Sequence, residues 1–376
     1  MNKNSIGPKI KKFRKSHHLT QEELAKALGY SHKSVITHIE KGDADMTYEK
    51  ILLLLRTYNI DANELFDIDE INNKQRKDNL ILVSGLINIE TSLKVDSFPI
   101  NYSPIEYSFF GVESVVSGVG YNVAKALKTL GSNIDLLTLI GDDLNGDIIL
   151  KKIKEDNIAN KHVIVNKNAK TSESVVLVDK EGKRKIYCDL KDIQDRPPLD
   201  ESVVKLDDYS LVALTNINFN RNLIKAAHNK GLVVATDVHV LSNIDDEYNK
   251  DFLENADLLF LSNEAIYDHE AEFMKDIYQR YNNKIIVCGC GDKGALMYIG
   301  IEDKYYYEPA VAPKGVNSTI GAGDALFSSF IHFYNKGESV DNCLKLAVLF
   351  AGLKISSAGG SNGFVSEETL KEYINK

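Results

Sequence analysis

Short apolar runs alternate with stretches of helical periodicity over most of the chain, and this alternation restricts the possible folds more than any other feature. Each run has four to six residues, and each is followed by a segment with helical spacing of its apolar residues. Such alternation predicts a largely parallel sheet covered by helices, which is an α/β fold. The runs lie at residues 80–83, 134–139, 211–214, 232–236, 258–261 and 284–287.

Two segments interrupt this alternation with period-two patterns and turn residues. They are SFPINYSPIEYSFFGVESVVSG, which starts at residue 97, and SESVVLVDKEGKRKIYCDL, which starts at residue 172. Period-two patterns indicate strands, so these segments predict an antiparallel flap beside the main sheet. Aromatic residues in the first segment suit lid packing or a dimer seam, or else a contact with a base or a sugar face. The four that carry this interpretation are Tyr102, Tyr107, Phe109 and Phe110.

The amino-terminal part of the chain has a different pattern, one of short helices. Thr20 and Glu23 form a predicted capping box at the start of one helix, and Gly29 marks the turn to the next. We expect Ser31 to cap that second helix and Gly42 to end it, which is a helix-turn-helix arrangement. The expected core positions are Leu24, Ala27, Leu28, Val35, Ile36 and Ile39.

Two further helices, TYEKILLLLRTYN and ANELF, are predicted before a polar segment that lacks periodicity. The predicted division is therefore a helix-turn-helix domain at 1–67, a linker at 68–78 and a large domain at 79–376. Charge is also unevenly distributed along the chain. The total is −9, but residues 1–41 carry nine Lys and Arg against three Asp and Glu, so +6 lies there and −15 on the remainder. A basic head on an acidic body indicates that one end alone meets a polyanion.

The composition gives little sign of a membrane or secreted protein. No run of about 18 uncharged apolar residues occurs, and the first residues lack the apolar centre of a secretory signal. We therefore expect a soluble, cytoplasmic protein without membrane contact. The four cysteines are too scattered for a disulfide framework, and we expect buried, reduced thiols. They are Cys188, Cys288, Cys290 and Cys343.

The segment STIGAGDALF places three small residues, Gly321, Ala322 and Gly323, directly before Asp324 and an apolar run. Small residues at a helix start leave backbone N–H groups accessible to an anion, and the helix dipole adds positive potential. Asp324 could remove the proton of an attacking hydroxyl, or it could only complement the dipole. A second cluster, SGVGYNVAKALKTLG, contains two glycines that allow close backbone approach, followed by Asn122 with a donor and an acceptor.

Together, these segments resemble the ribokinase-like (PfkB) family of sugar and nucleoside kinases from about residue 79 to the end. GVGYNVA and STIGAGDALF are the two signatures of that family in their usual order, and IGDDLNG and CGDKGALMY also match. The resemblance implies a ribokinase-like, mostly parallel sheet flanked by helices, with a small β lid. It also implies ATP-dependent phosphorylation of a hydroxyl group of a sugar or nucleoside.

The resemblance implies a role for each matching residue. Asp324 would be the general base, and the three small residues before it would hold the transferring phosphoryl group. The substrate pocket would be lined by Asn88, Glu90, Gly118, Val119, Gly120 and Asn122. ATP would be bound by Asn263, Gly291, Asp292, Gly294, Ser357 and Gly359.

Two ions are implied with the nucleotide. Mg²⁺ would accompany ATP, and the loop SSAGGSNG would lie near a site for a monovalent cation such as K⁺. Glu90 stands where the family usually has Asp, and Ile266 where many members have Glu. Glu264 is therefore the expected carboxylate at the metal. Outside the family motifs, Asp237 ends a predicted strand, and Arg184 or Lys185 could reach a bound anion.

The first 67 residues resemble the phage-repressor (Cro/cI, XRE-type) helix-turn-helix family, in LTQEELAKALGYSHKSVITHIEKG and ILLLLRTYNIDANELF. In that family the second helix of the motif enters the major groove, and a homodimer is expected because one module buries little surface. The resemblance places Gln21 at a DNA phosphate. The side chains that face bases would be His32, Lys33, Ser34, Thr37 and His38.

The combined prediction is a cytoplasmic sugar or nucleoside kinase with a DNA-binding head, whose substrate occupancy alters DNA binding. The alternative is a ligand-sensing transcription regulator that keeps the kinase fold and binds a metabolite without turnover. A third hypothesis gives the head a role in docking or assembly only.

Overall fold

The computed structural model describes residues 6–17, 19–58, 60 and 79–374. The chain divides into two compact units, Met1–Lys77 and Asp78–Lys376. The predicted helix ANELF and the predicted linker 68–78 lie outside the described residues. In the part of the chain that is described, no helix is both long enough and apolar enough to cross a membrane.

The described part of the small unit consists of short helices packed around an apolar core. The capping box is confirmed, because Thr20 accepts from the Glu23 amide and Glu23 accepts from the Thr20 amide. Gly42 ends the third helix in the left-handed conformation. The helices are α1 (Gly7–Ser16), α2 (Gln21–Ala27), α3 (Ser34–Lys41) and α4 (Tyr48–Tyr58).

Two details of the helix-turn-helix prediction are wrong. Ser31 does not cap α3, because the helix begins at Ser34 with Lys33 in the cap position and no side-chain cap. The turn is longer than predicted, and Ser31 precedes the first helical residue by three positions. Ala25 rather than Ala27 is buried in the core.

A nine-stranded sheet forms the centre of the large unit, and a four-stranded sheet accompanies it. The strands are β1 (Ile81–Ser84), β2 (Asn88–Lys94), β3 (Val112–Ser117), β4 (Ile134–Gly141), β5 (Ala159–Asn166), β6 (Glu173–Val178), β7 (Arg184–Asp189), β8 (Leu211–Leu214), β9 (Val233–Val240), β10 (Leu258–Ser262), β11 (Ile285–Gly289), β12 (Gly294–Ile299) and β13 (Lys304–Pro309). The large sheet has the order β13-β12-β11-β10-β9-β8-β1-β4-β5. It is parallel from β5 to β11, and β12 and β13 join it antiparallel.

Helices cover both faces of this sheet, as the alternating pattern predicts. Ile81 and Val83 of β1 face one apolar core, and Leu82 between them faces the other. Neighbouring residues of a buried strand point to opposite faces, so a continuous apolar run fills both cores. The helices are α5 (Val119–Thr129), α6 (Leu144–Glu155), α7 (Arg221–Asn229), α8 (Lys250–Asn255), α9 (Glu270–Tyr281), α10 (Ala322–Lys336), α11 (Val340–Lys354) and α12 (Glu367–Ile374).

The small sheet, or lid, has the order β3-β2-β6-β7 and corrects the prediction of an antiparallel flap. β2 pairs parallel with β6, while β3 and β7 pair antiparallel on the outside. The sheet is mixed because two hairpins from distant parts of the chain meet edge to edge. Cys188 on β7 is exposed, so the expectation of four buried thiols is wrong there. Tyr102, Tyr107, Phe109 and Phe110 are also exposed, so these four side chains make no lid packing.

Candidate active site

Helix α10 begins at the small residues of the STIGAGDALF segment. Gly321 precedes the helix with φ of 78°, and a Cβ there would lie 2.4 Å from the carbonyl oxygen of Gly360. This backbone conformation and this close approach both require glycine. At Gly323 a Cβ would meet no atom within 4 Å. The first turn of the helix therefore faces open space.

The backbone amides of this turn differ in their availability. The Ala322 amide donates to Thr319 O at 3.2 Å, and the Ala325 amide donates to Gly321 O at 3.0 Å. The amides of Gly323 and Asp324 lie in the first helical turn, where geometry provides no intrahelical acceptor. These two N–H groups, at the positive end of the helix dipole, are the donors an anion can use.

Asp324 is a buried carboxylate with a single side-chain donor. Its exposed fraction is 9%, and Asn122 Nδ2 donates to Asp324 Oδ2 at 2.7 Å. Burial raises the pKa of Asp324 to about 6, against the Asn122 hydrogen bond and the electrostatic effects of His239 and Lys354. The carboxylate is therefore ionised at neutral pH but poorly solvated, which suits a general base.

Ser117 links Asn122 to a second carboxylate, Glu90. Ser117 Oγ lies 3.2 Å from Glu90 Oε2, to which it donates, and 3.5 Å from Asn122 Oδ1. Burial raises the pKa of Glu90 above its usual value, while the hydrogen bond from Ser117 and the positive charges of Lys354 and Arg184 oppose the shift. The longer side chain of Glu90 thus lies on the same polar chain as Asp324.

Asn88 on β2 presents an acceptor that nothing in the described residues uses. Its Nδ2 donates to Ser174 Oγ at 2.9 Å, and its Oδ1 is buried without a hydrogen-bond partner there. A buried carbonyl oxygen without a donor is costly, so such an atom points to a ligand that supplies the donor.

The glycines at the start of α5 have separate roles. Gly118 takes φ of 101° as the residue before the helix, a conformation that requires glycine, and Val119 beside it is half-buried. Gly120 is buried, and a Cβ there would lie 2.5 Å from the backbone carbon of Gly85. Gly120 therefore lacks a side chain so that α5 can pack against the backbone at Gly85. The sequence resemblance instead placed Gly120 in the substrate pocket.

At the carboxyl end of β10, Asn263 is paired with a carboxylate that sequence reasoning missed. Asn263 Nδ2 donates to Glu270 Oε1 at 2.7 Å, and this hydrogen bond holds the pKa of Glu270 low, against its burial. Glu264 is exposed, and Ile266 is buried in the core. Glu270 is thus the carboxylate that lies next to Asn263. The sequence around Glu270 does not distinguish it from other glutamates that begin a helix.

The other predicted nucleotide residues lie in two loops. Gly291 and Asp292 are exposed after β11, and Gly294 takes φ of 115°, where a Cβ would lie 2.1 Å from Glu308 O. Ser357 and Gly359 lie in the loop after α11. The next residue of that loop, Gly360, packs on Asn122 and Ser117, since a Cβ there would lie 2.9 Å from both side chains. This loop therefore lies beside the predicted substrate residues.

Charged groups from three other elements also reach this region. Asp237 and His239 end β9 and act electrostatically on Asp324. Arg184, on the lid, donates from Nη1 to Thr319 Oγ1 at 3.1 Å, just before the small residues of α10. Lys354, the last residue of α11, is fully buried. The sequence indicated Asp237 and Arg184 only as open alternatives, and it gave no sign of Lys354.

In the described residues, no group of three or more His, Cys, Asp or Glu side chains is arranged to hold a metal ion. Oxygen donors at the end of β10, on Asn263, Glu264 and Glu270, suit Mg²⁺ bound mainly through water and phosphate. The donor chemistry therefore fits the ion that the resemblance implies.

The start of α3 presents the predicted DNA-contacting side chains. His32, Lys33, Ser34 and His38 are exposed, and Thr37 is half-buried. Exposed polar groups at this helix start suit contact with base edges and phosphates.

Gln21 is occupied inside the small unit. Its Nε2 donates to Glu40 Oε2 at 2.9 Å, and its Oε1 accepts from Thr37 Oγ1 at 3.1 Å. Glu40 is buried and paired with Arg14 at 2.6 Å. A phosphate contact by the Gln21 side chain would have to break this network, so its evident role is to position α3.

Fold and site together define a phosphotransferase of the carbohydrate and nucleoside kinase class, with a helix-turn-helix unit. Residues 78–367 match the pfkB family carbohydrate kinases, and residues 10–65 match a helix-turn-helix family. The chain therefore belongs to the pfkB carbohydrate kinase family.

The chain is similar to one curated kinase in sequence and to two solved structures in fold. The deoxyribokinase of Salmonella typhi is 26% identical over 69% of this chain and 87% of that protein. A microbiome-derived acarbose kinase superposes with a TM-score of 0.71 at 22% identity, covering 80% of this chain and 100% of that one. The Arabidopsis thaliana ribokinase, solved with ribose and ATP, gives a TM-score of 0.67 at 18% identity over 79% and 98% of the two chains.

Proposed function

We propose that this protein transfers the terminal phosphoryl group of ATP to a hydroxyl of a sugar or nucleoside, with Asp324 as the general base. The observation that carries the proposal is the Asn122–Asp324 pair. A buried carboxylate, held by one amide, lies at the open first turn of α10. A carboxylate that only complemented the helix dipole would gain nothing from burial, because burial penalises its charge.

The reaction follows from this arrangement. The acceptor hydroxyl gives its proton to Asp324, and its oxygen forms a bond to the γ-phosphorus of ATP. The bond between that phosphorus and the β–γ bridging oxygen breaks, and ADP leaves. The free amides at the start of α10 stabilise the charge on the transferring group. Arg184 of the lid supplies a further positive charge, because it is hydrogen-bonded to Thr319, which precedes these amides in the chain.

The acceptor binds through a row of oxygen and amide groups. Asn88 Oδ1 takes a hydrogen bond from one substrate hydroxyl, and Glu90 takes another. Asn122, between Ser117 and Asp324, orients the base. Such a row of groups matches a molecule that is rich in hydroxyl groups. The similar proteins include one named deoxyribokinase and one named acarbose kinase, which agrees with such an acceptor.

The nucleotide binds along the carboxyl ends of β10 and β11, where parallel sheets place their ligands. Asn263 and Glu270, with Glu264 nearby, orient the phosphates and the water shell of Mg²⁺. When bound, Mg²⁺ neutralises charge on the phosphates. Gly291, Asp292 and Gly294 lie at the polyphosphate, and Ser357 and Gly359 line the same cleft.

The small unit binds DNA as part of a cytoplasmic homodimer, and substrate occupancy of the large unit alters that binding. The support is the exposed polar start of α3 on a part of the chain with charge +6. Operator affinity that no ligand of the large unit changes would contradict this coupling.

A turnover assay separates the kinase from a sensor that binds without reacting. The protein is incubated with Mg-ATP and a panel of pentoses, hexoses and nucleosides, and ADP release is measured. Acceptor-dependent ADP that disappears in Asp324→Asn supports the kinase. An acceptor that raises the melting temperature but releases no ADP establishes the sensor instead.

A further inference from the structure

Lys354 is a buried lysine, and no carboxylate among the described residues is hydrogen-bonded to it. Its side chain is 0% exposed, and its ammonium group donates to two main-chain carbonyl oxygens, Ile320 O and Gly359 O, the second at 2.7 Å. Lysine is almost never fully buried unless it is paired, because an ammonium ion loses much solvation energy. Burial lowers the pKa of Lys354 to about 8, while the charges of Asp324 and Glu90 oppose the shift.

Each of these carbonyls belongs to a peptide group with a role in the site. Ile320 O lies on the peptide that carries the Gly321 N–H, and a planar trans peptide directs that N–H away from Lys354. Gly359 O lies on the same peptide as the Gly360 N–H, which opposes the rise in the pKa of Glu90. One ammonium group therefore binds the peptide before Gly321, at the start of α10, and the peptide before Gly360, whose N–H acts on Glu90.

Carbonyl oxygens gathered around a single positive charge are the usual binding arrangement for K⁺. The sequence resemblance implies a monovalent cation at the SSAGGSNG loop, which contains Gly359. Two carbonyls at this place already accept hydrogen bonds from Lys354, so this part of the loop does not fit an added ion.

We propose that the Lys354 ammonium group is a built-in cation that replaces a bound monovalent ion and positions the start of α10 and Glu90. The proposal rests on the proposed kinase function. Lys354 is a positioning residue, because its partners are main-chain carbonyls that carry the site residues. Its chemistry is that of a tethered ammonium ion, with three donors for carbonyl oxygens.

The first test uses the wild-type protein in choline, Na⁺, K⁺ or NH₄⁺ chloride at equal ionic strength. Melting temperature, ATP affinity by calorimetry and, with an active acceptor, kcat are measured. All three should vary little among the salts, with kcat within about 2-fold, since a tethered charge needs no partner from solution. A specific rise of melting temperature or kcat in K⁺ overturns the proposal.

The second test uses Lys354→Ala, Lys354→Met and the matched control Lys345→Met, which removes an exposed lysine from the same helix. In choline, Lys354→Ala should lose kcat by roughly 10- to 100-fold, as expected for misplaced catalytic groups. K⁺ or NH₄⁺ should restore part of kcat and of the melting temperature, because the ion occupies the vacated space. Lys354→Met fills that space without charge, so it should lose activity without recovery, and the control should match wild type.

Several outcomes contradict the proposal. They are an active Lys354→Met variant, a Lys354→Ala variant equal to wild type in choline, and a loss in Lys354→Ala that no cation relieves. If both variants fail to fold, as shown by circular dichroism, the wild-type salt comparison decides. The melting and ATP-binding measurements need no turnover, so failure to find an acceptor would count against the kinase function and leave this test intact.

Discussion

Helices α5 and α10 both begin with glycines, but the space around these glycines differs. A Cβ at Gly120 would lie 2.5 Å from the Gly85 backbone, while one at Gly323 would meet nothing within 4 Å. The first helix start is closed by packing against the connection after β1, and the second is open. Similar glycine-rich sequences thus serve close packing at one place and leave an open helix start at the other.

The two helix starts are joined by one hydrogen bond, from Asn122 on α5 to Asp324 on α10. The packed helix supplies a fixed amide, and the open helix supplies the carboxylate and free N–H groups. This comparison implies that stability depends on the first start and chemistry on the second. Substitutions at the two starts test that division, and the change at Asp324 should have the greatest effect.

Asp324→Asn should lower kcat/KM by about 10²- to 10⁴-fold, the usual contribution of a general base. The same change should stabilise the fold near pH 7. The pKa of Asp324 is about 6 in the folded protein and 3.8 for an unperturbed aspartate, so burial of the charge costs on the order of 3 kcal/mol above pH 6 and nothing well below pH 4. Kinetics and thermal melts at pH 7 check both effects, and an active variant would remove Asp324 from the mechanism.

Gly120→Ala and Gly323→Ala should give opposite profiles. The methyl group at Gly120 overlaps the Gly85 backbone, so the free energy of unfolding should fall by about 1–3 kcal/mol. The methyl group at Gly323 meets no protein atom, so stability should hold or rise slightly, while kcat falls roughly 10-fold or more because ligand space is lost. Chemical denaturation and steady-state kinetics measure the two effects. If the two variants lost the same free energy of unfolding, the two helix starts would not differ in packing.

The pH dependence should follow Asp324. A general base must be ionised, so kcat/KM should fall about 10-fold per pH unit below the folded-state pKa of about 6 and level off above it. Asn122→Ala removes the hydrogen-bond donor to the carboxylate, so the fall of kcat/KM should begin at a higher pH in this variant. If kcat/KM of the wild-type protein falls only near the ordinary aspartate pKa, the start of α10 is solvated.

A third helix start, that of α3, extends the comparison to the small unit. Lys33 is exposed there, and Lys33→Ala should weaken binding to duplex DNA and reduce the salt-dependence slope by about 1 if it neutralises a phosphate. Fluorescence anisotropy over a salt series measures the slope. Lys128→Ala, an exposed lysine on α5, serves as the control and should leave both affinity and slope unchanged.

Local patterns predicted the large features correctly. Each of the six apolar runs from residue 80 onward overlaps a strand of the main sheet, because a buried strand needs a short continuous apolar segment whatever its neighbours are. The capping box at Thr20 and the left-handed Gly42 are equally local. The pairing of β2 with β6 was not predictable in this way, since register between distant segments depends on which edges the main sheet brings together.

The sequence did not predict the side chains whose contacts depend on other segments of the chain. Glu270 is seven residues from Asn263, and only the turn into α9 brings the two together. Lys354 ends an apolar helix, where a lysine ordinarily faces solvent and complements the dipole. Its burial depends on the loop that folds over it, as does the hydrogen bond to Gly359.

By itself, the sequence determined the α/β architecture, the helix-turn-helix unit and the carboxylate that follows the small residues at the start of α10. These depend on periodicity, capping and glycine geometry, which operate within a few residues. Only the tertiary structure decided which glycine start is open, which carboxylate accompanies Asn263 and where the Lys354 charge lies. Those outcomes depend on desolvation and on contacts between segments far apart in the chain, and neither is encoded in any short stretch.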